Sequence, residues 1–232
     1  MKIYLMTDME GCAGILNSVE WVLPQGRWYE NGRAILTGET NAVIEGLFKG
    51  GADAVVVFDG HGPGGIDPMA LDPRVELIRG QSLDYPLGLD DTFAGAGWVG
   101  QHAKAGTPYS HLSHTGGFNR VDESINGISV GEYGAVALCA REVGVPCIFA
   151  GGEEAFTREA EALTPGVVTV SVKRGLMADG LDHLSTEEYG QAKLGAIHLS
   201  HKEACRRLKA GAAAAMRKLR QDPGNFRYPE LA

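Results

Sequence analysis

At 232 residues, with 44% hydrophobic and 22% charged side chains, the chain can bury one substantial core and at most a small second unit. A net charge of -8 without a dense Lys/Arg block argues against nucleic acid or an anionic membrane as partner, and no apolar stretch is long enough to span a bilayer. Four cysteines (Cys12, Cys139, Cys147, Cys205) lack CxxC spacing, and Cys139 and Cys147 fall in apolar stretches, so buried free thiols in a reducing compartment are expected rather than disulfides.

Met1-Lys2 leads directly into the strand-like run Ile3-Tyr4-Leu5-Met6 with no signal-peptide pattern, which makes a cytoplasmic enzyme the expectation. From there short β-rich runs alternate with longer helical patterns, the signature of an α/β fold. Strands are expected near residues 3–8, 54–59, 75–79, 95–100, 126–130, 146–150 and 167–172, and helices over roughly 31–50, 131–143, 153–163 and 185–219. The last helix opens at Ser185-Thr186-Glu187-Glu188, an N-cap followed by acids in the first turn. Its basic cluster, Lys202 to Lys209, reads as a solvated face. The 33 glycines, about twice the usual share, fit many tight strand-to-helix turns. The segment from Gly60 to Asp91 is rich in Gly, Pro and Asp and reads as loops around a short strand, the kind of loop that often covers an active site. The architecture predicted is a mostly parallel central sheet with helices on both faces. Residues 1–183 would form the catalytic unit, and 184–232 a long helix and an irregular tail.

Polar groups accumulate where the strands end. The first strand runs into Thr7-Asp8-Met9-Glu10-Gly11, and in an extended segment Asp8 and Glu10 point the same way. Two anions side by side call for a cation between them or a shared proton. The second strand ends in Asp59-Gly60-His61, a third in Gln101-His102, and the helix after residues 126–130 opens with Gly131-Glu132. In an open parallel sheet, ligands sit outside the carboxyl ends of the strands, so these places can converge. Singly, each residue has an ordinary explanation: Asp8 as a turn residue, Asp59 as an Asx-turn acid, His61 as a loop histidine, Glu132 as a helix N-terminal carboxylate. Loaded alike at four successive strand ends, they favour a metal hydrolase. Asp8, Glu10, His61, His102 and Glu132 form a nitrogen and oxygen ligand set that suits zinc, and also cobalt, manganese or nickel. Five ligands suit two metals if Asp8 bridges, and such a pair lowers the pKa of a water between them and polarises a carbonyl. His111 and His114 face opposite ways in an extended segment, so only one of them is expected to enter the same pocket.

These residues resemble the DppA-like zinc D-aminopeptidase family, the dipeptide-operon D-aminopeptidases. The resemblance rests on Thr7-Asp8-Met9-Glu10-Gly11, Asp59-Gly60-His61, Gly88-Leu89-Asp90-Asp91-Thr92-Phe93, Gly100-Gln101-His102-Ala103, Ser113-His114 and Ile125-Asn126-Gly127 through Val130-Gly131-Glu132, in the family's order and over residues 1 to about 220. It implies two zinc ions per chain on Asp8, Glu10, His61, His102 and Glu132, a catalytic role for His114, and removal of an N-terminal D-amino acid such as D-alanine from short peptides. It also implies a homo-oligomeric, ring-like assembly, such as a decamer, that encloses its active sites. The family continues past the long helix with a further β-containing segment, so 184–232 are expected to be a truncated remnant of a smaller second domain. The rival reading is a catalytically silent metal-binding or scaffold homologue. A phosphate or nucleoside binder using Gly60 to Gly65 is weaker, because that loop lacks the GK[ST] ending of a P-loop and has no basic residue nearby.

Overall fold

The computed structural model describes residues 1–80, 84–178, 180–181 and 183–231; of the loop-rich segment 60–91 and of the tail, residues 81–83 and Ala232 therefore lie outside the described residues. Strand β1 (Lys2–Thr7) leads through a short helical turn (Ser18–Val22) to helix α1 (Tyr29–Gly50), then β2 (Ala54–Asp59), β3 (Glu76–Ile78) and β4 (Gly95–Gln101). A hairpin of β5 (Ser124–Ile125) and β6 (Ile128–Ser129) precedes α2 (Glu132–Glu142), β7 (Cys147–Glu153), α3 (Glu154–Leu163) and β8 (Val168–Gly175). The chain then forms α4 (Thr186–Ala192), β9 (Ala196–His198) and α5 (His201–Gln221). Seven strands build one sheet in the order β3-β2-β1-β4-β7-β8-β9. Every pairing is parallel except β8 with β9.

Period-two alternation along β1 sorts its side chains between two cores. Ile3 and Leu5 pack with α1 and α5, through Leu47, Leu208 and Met216. Tyr4 and Met6 pack on the opposite face with α2 and α3, through Tyr133, Val136 and Phe156. A sheet buried on both faces explains the continuous Val-Val-Val-Phe run of β2. The Ala-rich stretch of α5 lets that helix approach α1 closely: a Cβ on Gly46 would come within 2.3 Å of the Lys209 carbonyl, and one on Gly50 within 2.4 Å of the Met216 Cβ.

Two expected elements take a different form. The strand expected over 126–130 is the β5–β6 hairpin, outside the main sheet. Asn126 and Gly127 both have positive φ (51° and 78°), the conformation of a two-residue turn that an Asn-Gly pair favours, so the chain reverses instead of crossing the sheet. The long helix expected over 185–219 is two helices separated by β9. The N-cap read at Ser185 holds, with a full capping box to Glu188, but it caps only α4. A second cap at Ser200, whose hydroxyl accepts the Glu203 N–H, starts α5. Between them Ala196–His198 pairs with Lys173–Gly175, so tertiary pairing overrides a helical pattern. All four cysteines are free; Cys12 and Cys147 are buried, while Cys139 and Cys205 are half-buried.

Candidate metal centre

The strand order reverses between β1 and β4, since the chain leaves β1 for β2 on one side and returns to β4 on the other. Ligands gather at such a point. Asp8 and Glu10 follow β1, His61 follows β2, and His102 follows β4. Glu132 opens α2, where the helix dipole favours its charge. The segment after β1 is held against β4 by two main-chain bonds, Asp8 N–H to Val99 O (3.0 Å) and Gly11 N–H to Gly100 O (2.7 Å).

All six residues singled out in the sequence meet here, in two groups. Asp8, Glu10 and His61 offer three ligand atoms within 4.8 Å of one another, and so do His102, His114 and Glu132. Asp8 lies between the groups. Its Oδ1 is 3.3 Å from His61 Nδ1, and its Oδ2 is 3.2 Å from His102 Nε2. Glu10 Oε2 is 3.3 Å from the same His61 nitrogen, and Glu132 Oε2 is 3.5 Å from the same His102 nitrogen.

Each imidazole is oriented by the nitrogen that faces away. His61 Nε2 donates to Val22 O (2.9 Å), His102 Nδ1 to Ala103 O (2.8 Å) and His114 Nδ1 to Leu112 O (2.9 Å). A neutral imidazole so engaged turns a lone pair toward the carboxylates, and lone pair against lone pair is repulsive unless a cation lies between. That arrangement is the one metal-ligating histidines adopt. The fit to a metal is supported by buried polar atoms left without hydrogen-bond partners, among them Glu10 Oε2 and His102 Nε2, both ligand atoms. Three carboxylates with imidazoles and no thiolate suit zinc.

Protonation follows the same geometry. Burial would lower the pKa of His61, but the Glu10 and Asp8 carboxylates override it and push the group up to about 12. Burial likewise opposes the charge on His102, and Glu132 and Asp8 raise it well above its ordinary value. Burial works against ionisation of Asp8 and Glu132 too. The His102 and His61 imidazoles beside it hold Asp8 well below the usual carboxylate range, and the His102 charge holds Glu132 at about 2. Without a metal, the imidazoles supply the positive charge that the acids demand.

Two neighbours of the site escaped the sequence reading. The Gln101 amide donates to Asp8 Oδ2 (3.0 Å) and Glu132 Oε2 (3.2 Å), tying the groups together. Its place beside His102 at the end of β4 was the available signal. Lys173 on β8 donates to the Glu10 carbonyl, and no sequence pattern links those two residues. Asp59 is not the Asx-turn acid expected: it accepts from the Gly65 and Ile66 N–H groups, six and seven residues on, faces Arg79, and so braces the loop that carries His61. His111 is buried against Leu16 O and the His198 ring, whereas His114 faces the site. The His114 ring stacks on His102 at 4.0 Å between centroids and contacts Phe118. A cavity of about 520 Å³ opens over Asp8, Glu10, His61, His114 and Glu132, with Phe58, Tyr85, Leu87 and Phe118 as apolar walls.

Comparison with known proteins places the chain in a family. Residues 1–230 match the model of the peptidase M55 family, described as D-aminopeptidase. A D-aminopeptidase of Bacillus subtilis (strain 168) is 36% identical over 194 residues, 82% of this chain and 70% of that protein. The solved structure of the Zn-dependent D-aminopeptidase DppA from Bacillus subtilis, described as a self-compartmentalizing protease, superposes with a TM-score of 0.85 at 31% identity, covering 99% of this chain and 78% of that one. This chain therefore belongs to the peptidase M55 family of D-aminopeptidases.

Proposed function

We propose that the chain is a zinc-dependent aminopeptidase that removes an N-terminal D-amino acid, such as D-alanine, from short peptides. Two zinc ions would be held by Asp8, Glu10, His61, His102 and Glu132, with Asp8 shared between them. The observation that carries this reading is the paired arrangement itself: two groups of ligand atoms joined through Asp8, each imidazole aimed by a backbone carbonyl, at the floor of a cavity. Zinc, when bound, polarises a carbonyl and makes water nucleophilic at neutral pH.

The chain's own groups do the rest. A peptide's free N-terminal amine would bind near Asp8 and Glu10, at the floor of the cavity. The apolar walls at Phe58, Leu87 and Phe118 take its side chain and exclude water. His114 Nε2, 3.8 Å from Glu132 Oε1 and fixed by the Leu112 carbonyl, is placed to give a proton to the leaving amine or to stabilise the oxyanion of the tetrahedral intermediate. The relative's self-compartmentalizing character supports a homo-oligomeric ring for this chain as well, one that admits only short peptides. The four free thiols support a cytoplasmic location.

The test combines elemental analysis with a panel of D- and L-alanyl di- and tripeptides. Two metals per chain, reduced in Asp8→Ala, together with faster release of D- than L-alanine, is the expected result. Metal uptake without hydrolysis of any peptide would favour the silent-homologue reading instead.

A further inference from the structure

β8 carries a lysine deep in the protein, directly beneath the acidic segment. Lys173 is 2% exposed, and its ammonium donates to the main-chain carbonyl of Glu10. Glu153 is its register partner on β7, and His198 its partner on β9. Two fully buried carboxylates, Glu39 on α1 and Glu153 on β7, and the Cys12 thiol lie in the same buried cluster and act on its charge through space. Each of these acids spends Oε1 on a backbone N–H, Glu39 on Ala13 (2.9 Å) and Glu153 on Ala155 (3.2 Å), and leaves Oε2 without a hydrogen-bond partner.

A cation placed behind a metal centre works against metal binding by simple repulsion. Its presence there calls for a different benefit, and the two carboxylates screen the cost. The benefit is geometric. The segment carrying Asp8 and Glu10 is pinned to β4 at Asp8 N and Gly11 N, so β4 holds the N–H edge of the Glu10–Gly11 peptide plane and leaves its carbonyl edge to another partner. The Lys173 bond fixes it from the opposite side, using β8. That third attachment sets the direction in which Glu10 Oε2 leaves the backbone toward His61 Nδ1.

We propose that Lys173 is a positioning residue for the metal centre, acting through the Glu10 carbonyl. The inference rests on the metal-site reading above. The test is a cobalt titration of the chelator-treated chain, followed by visible absorption, which reports affinity and ligand geometry independently of turnover. Lys173→Met should bind cobalt about 10–100-fold more weakly, the range seen when partners behind a ligand are removed, with an altered absorption band. Glu39→Gln/Glu153→Gln, which keeps the lysine donor, should keep the wild-type spectrum. If Lys173→Met leaves the two acids unpaired and does not fold, the neutral triple variant Lys173→Met/Glu39→Gln/Glu153→Gln takes its place, with the double variant as its control. A folded chain lacking Lys173 with wild-type cobalt affinity and spectrum overturns the positioning role while Asp8→Ala still reduces the cobalt bound. A wild-type chain that takes up no cobalt overturns the metal reading and this inference together.

Discussion

Replacing Gly11 with alanine should damage fold and site together, because the glycine lies where the Asp8–Glu10 segment crosses β4. A Cβ at position 11 would fall 2.0 Å from the Gln101 carbonyl oxygen, 2.4 Å from its carbon and 2.5 Å from the Gly100 oxygen. All three are backbone atoms of a central strand, so no rotamer can relieve the contact. Overpacking of this kind costs about 1–3 kcal/mol, and losing the Gly11 N–H bond to Gly100 inside the protein costs about 1–3 kcal/mol more. At about 2–4 °C per kcal/mol for a chain of this size, Gly11→Ala should melt roughly 5–20 °C below wild type. The segment must move away from β4 to make room, carrying Asp8 and Glu10 with it, so zinc affinity should fall as well. Gly144→Ala is the control. Gly144 has a φ of 72° with nothing within 4 Å of its Cβ position, so only backbone strain of about 1–2 kcal/mol applies there and zinc binding should be unchanged. Thermal unfolding of chelator-treated protein and a zinc titration measure both effects. A Gly11→Ala chain with wild-type melting and full metal uptake would show that the segment and β4 are not in rigid contact.

Three further outcomes follow from the same geometry. Because carboxylates hold His61 and His102 protonated in the metal-free chain, zinc must displace about two protons at neutral pH; calorimetry in buffers of different ionisation heat should show the release, and heats independent of buffer would contradict it. Burial pushes the Glu39 carboxyl up to about 7 from 4.5. For an acid whose folded pKa is raised, the folded state binds more protons through that window, so stability falls as pH rises from the unfolded value and the penalty is complete above the folded one. Glu39→Gln should therefore gain on wild type by up to about 3 kcal/mol between acidic and mildly alkaline pH. Parallel melting curves across that range would mean that Lys173 stabilises the charged form fully. His114→Ala should keep its metal and lose about 10²–10⁴-fold in kcat; loss of metal instead would make His114 a ligand of the His102–Glu132 group.

What could be read from the sequence is what local chemistry decides. Asp8, Glu10, His61 and His102 were legible because β1, β2 and β4 are short apolar runs that end in polar residues, and a parallel sheet brings such ends together whatever their separation in sequence. Glu132 is legible as an acid opening the helix after residues 126–130, and it is the first residue of α2; the stretch before it differs, because the Asn126-Gly127 turn makes it a hairpin beside the sheet. The interruption of the long helix was also written locally, in the second cap at Ser200, but the pairing of Ala196–His198 with β8 that makes use of it is a tertiary fact.

Gln101 and Lys173 mark where such reading runs out. An amide and a buried ammonium gain their roles only from the groups they reach, and Lys173 meets Glu10 across 163 positions of sequence. The difference is physical. A ligand must carry a particular chemical group at a place where metal-facing residues collect, so it leaves a trace in composition and spacing. A residue that aims a ligand can be any donor on any neighbouring element, and the identity of Lys173 follows from the place of β8 in the sheet, two strands beyond β4. The two kinds of residue should therefore respond differently to change. Conservative replacement at Asp8 or His61 should lower the number of metal ions bound per chain, while replacement at Gln101 or Lys173 should leave that number and weaken affinity in degrees that track how far the supported ligand moves.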